Sequence, residues 1–203
     1  MSYLLTTSLL NSFSWYLKES FAKTEAEQRQ EFLQTLRREK TEPNLAMEKG
    51  ILFEADIMNR CHDQNSSILE DWKSEIVNDI VRVVKSGLWQ QSVKKDLKIG
   101  NSEFLLYGRT DVIKRDTVFD IKFTSNYELG KFQDSSQHLI YLYYSELPKF
   151  SYLISDGKDW WREDYFNHAG IENEIKSKVS EFLDYLEGDK EAKELYFNNW
   201  ISK

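Results

Sequence analysis

Two apolar, strand-like runs stand close together in the middle of the chain, and they constrain its fold more than any other stretch. Residues 104–113 form one and residues 118–123 the other. Between them lies Lys114-Arg115-Asp116-Thr117, a polar loop of a length that β-hairpins use. Pairing Ile113 with Val118 across this loop brings Asp111 opposite Asp120. Side chains alternate faces along a strand, so Lys122 shares the face of Asp120, and Arg109 that of Asp111. Directly opposed side chains have Cβ atoms about 4.5–5.5 Å apart, and like charges placed so repel. Two facing carboxylates therefore need a bound cation, a shared proton or ample solvent. Asp120 lies in Val-Phe-Asp-Ile-Lys-Phe, where every neighbour except Lys122 is apolar. That context is an interior strand, where a charge must be paired or ligate a metal. A hard divalent ion with oxygen ligands suits two carboxylates, and a lysine beside it suits a phosphate that gains charge during attack. A single Asp-x-Lys tripeptide carries little on its own; its flanks and the order of the motifs around it give it weight.

Upstream, Pro43-Asn44 marks a break, and a helix is expected from 45 to about 61 with Met47, Ile51, Glu54 and Met58 on one face. Glu54 among those apolar neighbours needs a partner. Downstream, residues 128–146 read as a helix in which Gln137 and Tyr141, four apart, share a face.

Taken in order, Gly50-Ile51-Leu52-Phe53-Glu54, Gly108-Arg109-Thr110-Asp111, Phe119-Asp120-Ile121-Lys122 and Gln137-His138-Leu139-Ile140-Tyr141 resemble the PD-(D/E)xK nuclease superfamily, in its RecB-like and phage-exonuclease branch. The resemblance spans roughly residues 48–144. It implies a mixed α/β fold with a restriction-endonuclease-like core, a small central mixed sheet flanked by helices. It implies a DNA phosphodiester hydrolase using one or two Mg²⁺ or Mn²⁺ ions. Asp111, Asp120, the carbonyl of Ile121 and Glu54 would hold the metal. Lys122 would orient water or stabilise charge, Gln137 would position the ligand network, and Tyr141 would contact the DNA backbone. Arg109 is assigned to phosphate neutralisation by strand parity alone. Two alternatives stay open: a nuclease-fold module that binds DNA or protein without useful turnover, and a structure-specific endonuclease.

Composition limits the rest. The 203 residues suit a single domain, with no repeat, no linker and only two prolines. The lone cysteine, Cys61, excludes an internal disulfide framework and a four-cysteine iron–sulfur cluster. No apolar run has transmembrane length and no signal peptide is evident, so an intracellular, cytoplasmic protein without membrane association is expected. A net charge of −7 argues against a protein that coats nucleic acid, but a local basic patch would serve a nuclease. The expected partners are DNA, a second copy of the chain, or a recombination or repair protein.

Other elements follow from periodicity. A helix over 2–20, capped at Thr7 or Ser8, and a charged helix over 22–41 are expected at the N-terminus. A helix over 68–86, a strand within 88–99 with Val93, Leu97 and Ile99, and a turn at Gly100-Asn101 lead to the central hairpin. A second hairpin turns at Asp156-Gly157-Lys158, a helix runs from 171 to Gly188, and a last helix covers about 190–201. Tyr196, Phe197 and Trp200 give that last helix a packing face, read as one that could meet a second subunit.

Overall fold

A computed structural model describes residues 2–18, 23–64 and 72–202. It is mixed α/β, with two sheets instead of the single sheet expected. The smaller sheet has the order β1-β4-β3, from Ser2–Thr6 (β1), Ser92–Ile99 (β3) and Ser102–Arg109 (β4). The larger has the order β2-β5-β6-β7-β8, from Leu88–Trp89 (β2), Val112–Lys114 (β5), Thr117–Phe123 (β6), Lys149–Ser155 (β7) and Trp160–Phe166 (β8).

The run at 104–113 is therefore two strands. β4 ends at Arg109 and β5 starts at Val112, because the backbone between them pairs elsewhere. Thr110 donates its N–H to Gln91 O at 3.0 Å, and Gln90 donates to Asp111 O at 2.9 Å. Past this break the expected register holds, with Ile113 opposite Val118.

The larger sheet is covered on both faces. Phe119, Ile121 and Leu153 pack with Leu45–Cys61 (α3) and Ser74–Val84 (α4) through Phe53, Ile57, Ile76 and Val77. Val118, Phe150, Tyr152 and Ile154 face Ser136–Ser145 (α5) and Ile171–Gly188 (α6). β6 and β7 run parallel, and their burial on both faces explains their nearly continuous apolar sequences.

The N-terminus departs from its helical reading. Ser2–Thr6 pairs in parallel with β4, and the helix (α1) is only Thr7–Tyr16. Its cap is Thr6, whose side chain accepts from Leu9 N, and not Thr7 or Ser8. A tertiary partner overrides helical spacing here. The charged helix (α2) is Glu25–Leu36, closed by a Thr24–Glu27 capping box. Of its basic residues, Arg29 pairs with Asp189 and Glu191, and Arg37 with Glu191.

α3 has the expected bounds but buries a different face. Phe53, Asp56 and Ile57 point inward, while Met47 and Ile51 are exposed. The helix expected over 68–86 is the shorter α4, and residues 68–71 lie outside the described residues. The helix expected over 128–146 is only α5. Gly130 at φ +82° interrupts the run, and Ser135 caps the helix by accepting from Gln137 N. All nine residues from Ser136 to Tyr144 are buried, so α5 is a central helix. The last helix (α7), Lys190–Asn199, packs on its own chain: Tyr3 meets Phe197 edge-on, and the Tyr196 hydroxyl donates to Leu4 O. Among the described residues no helix is long and apolar enough to cross a membrane.

Candidate active site

β6 carries Asp120 and Lys122 on the face it turns towards α5. Asp120 is almost fully buried, and its Oδ1 accepts a hydrogen bond from the Gln137 side chain. The Lys122 ammonium lies 2.6 Å from Asp120 Oδ2, a close ion pair. Asp111 sits beyond the end of β5, and its Oδ2 accepts the backbone N–H of Ile121 at 2.7 Å. The carboxylate thus replaces the strand partner that β6 has lost. In a paired strand a residue's N–H and C=O leave on the same edge, so the Ile121 carbonyl also faces this opening.

Glu54 comes from α3 and is half-buried. Its Oε1 accepts from Gln90 Nε2 at 2.5 Å. Gln90 sits at φ +54° in the loop between β2 and β3, and the same residue's N–H holds Asp111 O. It therefore ties Glu54 to the Asp111 backbone. No motif pointed to Gln90, since its role depends on a loop conformation.

The electrostatics bind these groups into one cluster. Burial raises the carboxyl of Asp111 well above its ordinary value, and the charges of Asp120 and Glu54 raise it further. Burial also raises Glu54 and Asp120; Asp120 pushes on Glu54, while Lys122 and Gln137 partly relieve Asp120. For Lys122, burial acts against the ammonium, but Asp120, Asp111 and Glu54 outweigh it and hold its pKa above the ordinary value. The lysine is thus a charged donor at neutral pH, not a base.

The resemblance-derived residues divide into those at this centre and those beside it. Glu54, Asp111, Asp120, Lys122 and Gln137 come together. Arg109 ends β4 with an exposed side chain whose charge relieves Glu54. Its parity with Asp111 does not apply, because the strand breaks between them. Tyr141 is 4% exposed, its hydroxyl donates to Arg109 O at 2.7 Å, and its ring stacks on Phe150. It pins the strand end from inside and presents no surface to a phosphate. Gly108 makes this contact: a Cβ there would lie 2.7 Å from the Tyr141 ring and 2.8 Å from Thr7 Oγ1.

The donor set fits a hard divalent cation: three carboxylates and a strand-edge carbonyl, all oxygen ligands. Among the described residues no three acidic, histidine or cysteine side chains form a ready-made cage. Asp56, two residues from Glu54, belongs to a different arrangement. It is buried, clamped by Arg60 and accepts from Trp72 Nε1 at 3.0 Å.

A cleft of about 170 Å³ opens beside Lys122 and Gln137, between α1 and the segment 131–135. A larger hollow nearby, about 370 Å³ and lined by Tyr16, Gln28 and Phe32, contains none of the clustered carboxylates.

No family model and no curated protein matches the chain. Its structure is similar to that of SSO0001, with a TM-score of 0.53 and 10% identity over 89% of this chain and 77% of the other, a likeness of fold. A crystal structure of Scheffersomyces stipitis Rai1 aligns at a TM-score of 0.34 and 15% identity, below the level of a shared fold. The chain covers 90% of its own length there and spans 61% of the Rai1 chain.

Proposed function

We propose that this chain is a metal-dependent deoxyribonuclease of the PD-(D/E)xK type, with a restriction-endonuclease-like core, acting as an exonuclease in DNA recombination, repair or phage DNA processing. One observation carries the reading. Glu54, Asp111, Asp120, Lys122 and Gln137, brought by α3, the β4–β5 break, β6 and α5, meet in one cluster in which burial raises all three carboxyls and Asp120 raises Asp111 and Glu54 further. Such crowding is costly to fold, and a cation-using site is its simplest physical reason.

Asp111, Asp120, Glu54 and the Ile121 carbonyl would hold Mg²⁺ or Mn²⁺. When bound, the ion supplies Lewis-acid polarisation of the phosphate. Lys122 stays protonated and donates to the attacking water or to the charge growing on the phosphate. Gln137 fixes the orientation of Asp120, and Gln90 that of Glu54. Tyr141 holds the end of β4, and with it Arg109, in place.

Purified protein offered linear duplex, closed circular and single-stranded DNA with Mg²⁺, Mn²⁺ or EDTA tests this. Metal-dependent loss of linear DNA that Lys122→Ala abolishes is the expected result. Cutting of closed circles would make the enzyme an endonuclease. Absence of cleavage with both metals, in folded protein, sinks the hydrolase reading and leaves a binding module.

A further inference from the structure

We infer that the cleft beside Lys122 is a binding channel for single-stranded nucleic acid, with Trp15 as the platform for an unstacked base. The inference deepens the hydrolase reading by naming the form of substrate that reaches the centre. Three observations carry it. The cleft opens on Lys122 and Gln137, so a strand lying in it passes the reacting groups. Lys18, Lys122 and Lys131 line it against one carboxylate, Asp134, an excess of positive charge on the wall in a chain of net charge −7. Trp15, on the cleft wall, is 62% exposed although it is the largest side chain of α1.

The stacking chemistry points the same way. Inside a duplex each base has both faces covered by its neighbours, whereas a base in a single strand can lie on an indole. The Lys18 ammonium lies 5.1 Å from the centre of the Trp15 ring and also meets Asp134 at 3.2 Å. That ion pair is exposed on both sides and hence weak, so a phosphate can exchange for Asp134. Lys131 donates to Thr124 Oγ1 and Asn126 O, which holds its ammonium at the cleft mouth without neutralising it.

The test is fluorescence anisotropy in EDTA, where no metal-supported cleavage occurs. The probes are a labelled 20-mer of deoxythymidine and a blunt duplex of equal length. Trp15→Ala is expected to weaken single-strand binding about tenfold, Trp15→Phe to retain most of it, and duplex binding to change little. Lys131→Ala is expected to lower the salt slope for the single strand by about 0.7. Circular dichroism checks that the variants fold, which the exposure of both side chains favours. Undetectable single-strand binding by the wild type overturns the inference, as does a Trp15→Ala variant that binds like it or loses both DNA forms in equal ratio. Trp15-dependent single-strand binding without any cleavage keeps the channel and removes the hydrolase reading. Metal-dependent cleavage with Trp15→Ala binding unchanged does the reverse.

Discussion

Asp111 Oδ2 accepts the backbone N–H of Ile121 at the point where β5 has already left the sheet. One carboxylate closes a gap in a β-ladder and also crowds two other acids. These roles separate in Asp111→Asn, since an amide oxygen can still accept the N–H while the charge is gone. The variant is expected to be inactive in cleavage and more stable than the wild type by roughly 1 kcal/mol, a rise of about 2–4 °C in metal-free thermal melting. A lower melting temperature would show that the three acids do not strain the fold.

The same cluster sets a pH dependence. The folded carboxyls of Asp111, Asp120 and Glu54 are raised, so folded protein binds more protons than unfolded chain above the ordinary carboxylate values of about 4. Their contribution to stability is full at low pH and is lost as pH rises through their folded values. Lowered groups such as Asp189, held down through Ala192 N–H and Arg29, act oppositely. Comparison with Asp111→Asn isolates the cluster: in EDTA the variant's stability advantage is expected to grow as pH rises from 4 to 8, and a constant difference would contradict this.

Gln90 reaches Glu54 with its side chain and the Asp111 carbonyl with its backbone. Gln90→Ala is expected to lower metal affinity or metal-supported cleavage about 10- to 100-fold, in the manner of residues that orient metal ligands. Its melting temperature should change little. Titrating activity against Mn²⁺ distinguishes a loss of metal affinity from a loss of rate.

Glu54 and Asp56 are near neighbours on α3 with opposite tasks. Glu54→Gln is expected to abolish cleavage with little loss of stability. Asp56→Asn breaks the clamp with Arg60, at a cost of about 2–3 kcal/mol, less than for a fully buried pair because Arg60 keeps contact with water. Urea unfolding of both variants checks the contrast.

Gly108→Ala places a methyl group against the Tyr141 ring and Thr7. Overpacking of about 1–3 kcal/mol is expected, visible in thermal melting, with activity falling further if Arg109 shifts.

Much of the centre was legible because its signals are local. The Ile113–Val118 register followed from one short loop and two apolar runs, and the Gln137 face followed from helical spacing. The break at Thr110-Asp111 was not, because Gln90 and Gln91, some twenty residues earlier, take up its backbone groups. Ser2–Thr6 carries an apolar pattern that suits helix or strand, and only its partner on β4 decides. Tyr141 matched its motif, but only its surroundings show the hydroxyl turned inward. Trp15 entered no motif and no apolar face, and only the structure shows it exposed on a cleft wall.

β1 is held on one edge by β4 and on the other by the last described residues, where Leu4 donates to Trp200 O and Ser202 to Ser2 O. Among the described strands, β1 leaves the ribosome first and is among the last to be sealed. It waits about a hundred residues for one neighbour and nearly two hundred for the other. Until then its open edge can pair with other chains, so slowing synthesis over residues 190–202 should raise aggregation more than slowing it around residue 120.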